Sequence, residues 1–481
     1  MANENSTCLE FTTQPDDLLV AKNRGSVKLT VHVVQDETRF LSLRRDWEDL
    51  ESSPSTSIFQ TFDWQFLWWK HFVRTTGVKL FVLVFREKEF AVAIAPFILE
   101  RHKLGGFRPF KIIKFMGSGL GFSGSSSLAL DAYGPSDYAD LIIRPGFKSS
   151  VGTELLSFLK SHSDEWDQLN LQNIPQTGHF YRVVMPFLRT EFQITEQAAD
   201  VCPKIILPDT VDGYLSTLTH RVRRKLRYSQ KVFLNSPDCK LERIEGGELS
   251  AFMQMLERLH QSRWNSTALP GLFADRRFTS MQIEFADVLN RKGKLWFKII
   301  SQRGRPIAAR LAFKHNRKFY DYLSGFERSY EGPSTASPEY ALLYDMISEA
   351  IESGTEVVDM LRGDEEYKFG LTSIVGHNRN VIVISSGLHG TKTPYWFRLS
   401  AGLNKIRSRI ACEIAIFKLV NKKRNAISGI TFYTANVLRR LGRSSKFPHS
   451  AGKASTAKLA DDGLQSEFRT DESNQPRTSF K

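Results

Sequence analysis

Cysteine is scarce in this chain. The 481 residues contain four, Cys8, Cys202, Cys239 and Cys412, far apart and without CxxC spacing, so neither a disulfide framework nor a zinc site is indicated. That usage predicts a reducing cytoplasm; within it the protein is expected to be soluble or peripheral to the inner face of the membrane. No stretch reaches about 18 uninterrupted apolar residues, the least expected of a spanning helix. The opening MANENSTCLEFTTQPDDLLVAKNR lacks a basic region followed by an apolar one, so no signal peptide is expected. P-loop, GxGxxG, HExxH and GxSxG patterns are all missing, which removes the usual warrant for several large enzyme classes. Eleven histidines are scattered without ligand spacing, and no metal is expected.

What is present is a substantial core and a positive charge. Hydrophobic residues make up 41% and aromatics 12%, and the length exceeds that of a usual single domain, so two domains with extra segments are expected. A formal net charge of +14 favours a polyanionic partner: nucleic acid, an acidic membrane surface or a phosphate-rich cofactor.

Residues 1–26 are polar and aperiodic and read as a disordered arm. VKLTVHVV, from Val27, alternates as a strand, and a helix is expected over Thr38–Leu50. In SIFQTFDWQFLWWKHFV, Phe62, Phe66, Trp69 and Phe72 recur at helical steps, an aromatic face suited to core packing. KLFVLVFREKEFAVAIAPFILE and FKIIKFM then give three strands, followed by a helix over Val151–His162 and a strand at Gln168–Leu171. The second half repeats this order, with three strands from Lys294 to Phe326, a helix over Pro338–Ser353 and a strand over Glu356–Leu361. The Phe85–Phe90 turn matches Gln302–Pro306, and Leu169–Ile174 matches Met360–Asp364, so the halves read as two copies of one α/β (α+β) fold. Expected domains are 27–200 and 201–392. A basic amphipathic helical segment over 393–443 and a disordered tail over 444–481 follow.

Between the halves, Asp209–Val232 reads as a helix. Leu215, Leu218, Val222 and Leu226 form its apolar stripe, while Arg221, Arg223, Arg224, Lys225, Arg227 and Lys231 crowd the remainder. GSGLGFSG, Gly117–Gly124, follows a strand without a clear helix after it and reads as a flexible loop.

The densest chemistry lies in VDMLRGDEEYK, where a strand signal runs into Asp359, Arg362, Asp364, Glu365, Glu366, Tyr367 and Lys368. A solvated turn whose charges pair among themselves is one reading, and a site at the end of a rigid strand is the other. Upstream, Ser337 stands as a helix cap with Pro338 at the first helical position, and such a start exposes amides able to take a pyrophosphate. In MLERLHQSRW, helical spacing puts His260 on one face with Arg263 or Trp264, as a packed structural histidine or as a substrate contact.

YEGPSTASPEYALL and DMLRGDEEYK, with RLHQSRW and FQTFDWQFLWW, resemble the CelD (BcsL) type of GNAT-like acetyltransferases of cellulose and exopolysaccharide biosynthesis, over about residues 30–390. The resemblance implies two tandem GNAT-like domains as in FemAB-like enzymes, each with a mixed, mostly antiparallel central sheet flanked by helices. It also implies acetyl-CoA or another acyl-CoA as co-substrate and a sugar or amine acceptor. By position it puts the donor along Phe319–Gly325 and the helix start, with contacts at Ser324, Gly325, Ser334 and Ser337. Acyl transfer needs a base, an oxyanion donor and an acid for the thiolate. Asp359 or Glu366 would be the base, and Tyr367 or Tyr322 the acid. Arg362, Asp364, Lys368, His260, Arg263 and Trp264 would contact substrate, with Arg362 and Lys368 ordering the loop or holding an anion. Family members commonly carry Gly where this chain has Glu339, and Trp soon after the Tyr-Lys pair, where this chain has Phe369, Gly370 and Leu371.

Two other readings belong beside this one. The cationic helix fits aminoacyl transfer from a charged tRNA. The basic C-terminal segment fits a non-catalytic scaffold on anionic lipid or a polysaccharide synthase complex.

Overall fold

The computed structural model describes residues 28–385 except 103–109, 121–129, 131–132, 245–247, 266–270 and 328. The arm expected over 1–26 and the segments expected at 393–443 and 444–481 lie outside the described residues, as does part of the Gly117–Gly124 loop.

The first module runs β1 (Thr30–Val34), α1 (Glu37–Ser42), α2 (Arg44–Glu51), α3 (Phe62–Trp68), β2 (Lys79–Leu80), β3 (Val82–Glu87), β4 (Phe90–Ala95), β5 (Phe97–His102), β6 (Phe110–Phe115), β7 (Ile142–Ile143), α4 (Lys148–Ser161), β8 (Gln168–Pro175), α5 (Met185–Leu188) and β9 (Gln193–Ile206). The second runs α6 (Val211–Thr217), α7 (His220–Phe233), β10 (Cys239–Arg243), α8 (Leu249–Asn265), α9 (Arg276–Arg291), β11 (Leu295–Gln302), β12 (Arg305–His315), β13 (Lys318–Phe326), α10 (Pro338–Glu352), β14 (Val357–Asp359), α11 (Glu366–Phe369) and β15 (Val375–Ile384).

Two expected helices are each divided. The segment expected as one helix over Thr38–Leu50 breaks at Leu43, which closes α1 and opens α2. The cationic segment breaks before Thr219, whose extended backbone and side chain cap a new helix at Val222 N. The apolar stripe is as expected, with Leu215, Leu218 and Leu226 buried against α10 and the sheet.

Strand pairing shows the duplication. In the second module β10, β11, β12 and β13 are antiparallel in order, and β13 then pairs parallel with β14 across α10. In the first, β1, β3 and β4 are antiparallel, β5 continues the line of β4 beyond Pro96 to pair with β6, and β6 pairs parallel with β8 across α4. The break at Pro96 reflects its missing N–H, and Phe81 N donates to Phe97 O at 3.0 Å across it. Each module is therefore a mixed, mostly antiparallel sheet flanked by helices, in which the fourth and fifth strands are parallel.

The modules share strands. β9 pairs with β15 along most of its length and with β14 through Lys204–Ile206, while β15 also pairs with β8. Among the described residues one sheet of eleven strands results. A second seam is aromatic: Trp64 of α3 meets Tyr322 edge-on at 5.6 Å and Phe285 at 4.9 Å, and Phe59 meets Tyr320 at 6.1 Å. Such contacts add to the burial of large apolar area. The aromatic segment read from sequence as core is thus core between modules, fixing β13 against the first module.

Candidate active site

The site is built where β13 and β14 part. They pair only from Lys318 with Val357 to Tyr320 with Asp359, after which β13 continues to Phe326 and β14 stops. Leu361 adopts φ 58° and turns the chain away. Its amide donates to Asp359 Oδ1 at 3.0 Å, and Met360 N and Gly363 N donate to Pro203 O and Val201 O. The fork is held open by backbone bonds to β9.

Residues 134–140 of the first module wall this fork. Tyr138 OH reaches both oxygens of Asp359 at 2.9 and 3.0 Å. From the opposite strand, Tyr322 OH donates to Pro135 O at 2.8 Å. Arg362 donates from Nη2 to Gly134 O at 2.7 Å and pairs through Nε with Asp137. Burial pushes the Asp137 carboxyl up to about 6, against the pull of Arg362 and Lys368. Burial and the Asp359 charge likewise raise the Tyr138 phenol, and push the neighbouring Cys202 thiol up to about 12. Asp359 is 3% exposed, lies 3.6 Å from Lys204 Nζ, and lines a polar cavity of about 100 Å³ with Ser57, Gln60, Lys204 and Lys318.

The structure brings only some of the sequence candidates together. Asp359, Arg362 and Tyr322 converge on the fork. Lys368, 4% exposed, turns inward, and its Nζ donates to Arg362 O at 2.8 Å and pairs with Glu365 at 3.0 Å, so it orders the loop. Asp364 and Glu366 point to solvent. Tyr367 lies on the far side, near Arg310, Asp321 and Glu339, its phenol raised by burial. Ser324 and Gly325 lie on the part of β13 beyond its pairing with β14. A Cβ on Gly325 would meet His260 N at 2.5 Å, so the glycine admits the backbone of α8. Ser334 is exposed in the loop before α10. Ser337 stands at the cap position, yet its side chain makes no capping bond; its amide instead donates to Ser229 Oγ of α7 at 3.0 Å. His260 is buried edge-on to Phe273 at 5.2 Å, and the side chains of Arg263 and Trp264, on α8, lie outside the described residues.

Sequence reasoning missed Asp137, Tyr138, Lys204 and Arg310. Nothing in YGPSDYAD marks it as a wall for residues more than 200 positions away. Arg310 did leave a signal, since in PIAARLAF it falls in step with the inward Ala308 and Ala312. It is 0% exposed and pairs with Asp321 at 2.5 Å.

Residues 220–369 match the family model described as acetyltransferase (GNAT) domain. The matched segment runs from α7 to α11 and includes the parallel pair β13 and β14 and the start of α10. No curated protein matches the chain by sequence. Among solved structures, FemX is 11% identical, with 74% of this chain and 99% of that chain covered at a TM-score of 0.49. The C-terminal domain of a putative lysylphosphatidylglycerol synthetase from Agrobacterium fabrum is 8% identical, covering 72% and 93% at 0.40. A tandem GNAT protein from the clavulanic acid biosynthesis pathway is 10% identical, covering 73% and 98% at 0.36.

Proposed function

We propose that the chain is an acyltransferase that moves an acetyl or other acyl group from acyl-CoA to a sugar or amine acceptor in exopolysaccharide or cell-envelope synthesis. The observation that carries the reading is the fork between β13 and β14, opposite the start of α10 in the segment that matches the GNAT domain. A thioester donor laid along the unpaired edge of β13 would meet strand amides able to bind the oxyanion of a tetrahedral intermediate. The acceptor, entering from the cavity beside Asp359, would attack the thioester carbonyl and give its proton to that carboxylate. Collapse of the intermediate breaks the carbon–sulfur bond and releases CoA as thiolate, and under this reading Tyr322 would turn its proton from Pro135 O to the sulfur. Lys204 and Lys318 would favour an acceptor bearing an anionic group near the transferred atom.

The start of α10 fits a phosphate in part. Pro338 has no N–H and the Ser337 amide is taken by Ser229, which leaves the amides of Glu339 and Tyr340 in the first turn. Isothermal titration with CoA tests the reading, and the absence of binding at millimolar ligand would sink it.

A second reading rests on a different observation. His220, Arg223, Arg224, Arg227 and Lys231 line one outward face of α7, a surface suited to a nucleic-acid backbone. Under that reading the donor is an aminoacyl-tRNA, RNA co-purifies, and neutralising Arg223 and Arg224 abolishes activity; purification free of nucleic acid at low salt argues against it.

A further inference from the structure

The start of α10 holds more positive charge than its own first turn uses. Arg310, fully buried beneath it, directs Nη1 to Asp321, while Nη2 lies 3.7 Å from Glu339 Oε1, beyond hydrogen-bond reach. Neither Nη2 nor Nε of this guanidinium has a hydrogen-bond partner. Leaving such donors unmet in a protein interior is costly. From the other side α7 brings Lys225, whose Nζ stands 3.9 Å from the Tyr340 ring centroid and whose charge acts on Glu339. Arg221 on the same helix acts on Tyr340. A helix N-terminus, an under-satisfied buried guanidinium and Lys225 of α7 thus flank one carboxylate, that of Glu339, which lies beside the guanidinium but too distant to satisfy it, with Arg221 acting on the next residue, Tyr340.

We propose that Glu339 is a resident stand-in for the phosphate of the acyl donor. The donor's pyrophosphate displaces this carboxylate from Arg310 and takes the free guanidinium donors together with the amides of Glu339 and Tyr340. Donor affinity is thereby set by competition with a side chain of the protein itself. This inference rests on the acyl-CoA reading and deepens it by naming the residues that hold the phosphates and the one that opposes them.

Isothermal titration of the full chain with CoA and with pantetheine, which has the thiol arm but no phosphate, separates the possibilities. Glu339→Gln and Glu339→Ala should each bind CoA about tenfold more tightly than the wild type, because a like charge is removed from the anion seat. Pantetheine should bind all three alike. Arg310→Lys, checked for folding by thermal melting, should weaken CoA by a similar factor and leave pantetheine unchanged. Unchanged CoA affinity in both Glu339 variants, or an equal gain for pantetheine, overturns the proposal while CoA binding by the wild type keeps the acyltransferase reading. If no form binds CoA, both fall together.

Discussion

The two forks begin alike and end differently. In the first module β6 and β8 pair in parallel only at Ile112–Ile113 with Gln168–Leu169, and the gap beyond is closed by residues 134–140 of the same chain. Ser136 N donates to Gly117 O on one side and Ala139 N to Asn173 O on the other, while Asn173 Nδ2 reaches Tyr133 O and Ser136 O. Gly134, at φ 72°, passes so close to the backbone of Gly117 and Ser118 that a Cβ would overlap them. In the second module, among the described residues, the fork keeps an unpaired edge on β13 and receives from residues 134–140 the Gly134 and Pro135 carbonyls, Asp137 and the Tyr138 hydroxyl. The plug of one fork is the wall of the other. Under the proposed function, duplication leaves one copy as scaffold and the other for chemistry, joined by a segment that serves both.

The sharpest way to break this contrast is to remove the fork carboxylate. Asp359→Asn should lower kcat/KM by roughly 10²- to 10⁴-fold, the usual worth of a positioned general base, with the protein still folded. Loss of less than about tenfold in steady-state assays would move the chemistry away from this fork. Next in size is the joint between plug and wall. Arg362→Ala leaves Asp137 buried without its partner and should cost about 3 kcal/mol in denaturant unfolding. A change near zero would show that the wall is held without this pair, by the Tyr138–Asp359 and Tyr322–Pro135 bonds and the aromatic seam.

Asn173→Ala tests the scaffold fork. It removes the amide that satisfies two loop carbonyls and should destabilise the chain by about 1–3 kcal/mol. Since the first fork binds nothing in this account, kcat/KM at a temperature where the variant is folded should stay within about threefold of wild type. A large kinetic loss at unchanged stability would give the first module a direct part in catalysis.

Much of this arrangement was legible in the sequence where local pattern decides it. The hairpin at Phe85–Phe90, its counterpart at Gln302–Pro306, the helix from Pro338 and the strand before Met360 all follow from period and turn chemistry, and their repeated order exposes the duplication. β9 and β15 were not legible as the exchange between modules, because pairing partners depend on register across the sheet rather than on either strand alone. The same limit hid residues 134–140, whose role is set by contacts such as Tyr138 with Asp359 that no spacing rule anticipates. Lys368 shows the opposite difficulty: a cation in a run of charges reads as solvated, yet the turn at Leu361 and Gly363 folds backbone carbonyls inward to receive it.

The smallest predicted effect concerns Asp137, where activity and stability should respond to pH with opposite signs. Its folded pKa of about 6 lies above the ordinary carboxylate value of 3.8, chiefly through burial, with Arg362, Lys368, Asp359 and Asp200 as the charges that act on it. The folded state therefore binds this proton more tightly than the unfolded chain does, so the group favours folding most below about pH 4 and loses that contribution as pH rises through 6. Catalysis should run the other way, because protonation removes the anion that positions Arg362 against Gly134. Wild-type kcat/KM should fall as pH drops below about 6, and Asp137→Asn should be flat there, at the level the wild type approaches in acid. Melting curves of both proteins between pH 4 and 7 complete the test: the wild type should lose stability relative to Asp137→Asn as pH rises. An acid limb that survives in the variant would assign the titration to another group and leave Asp137 as a structural partner of Arg362.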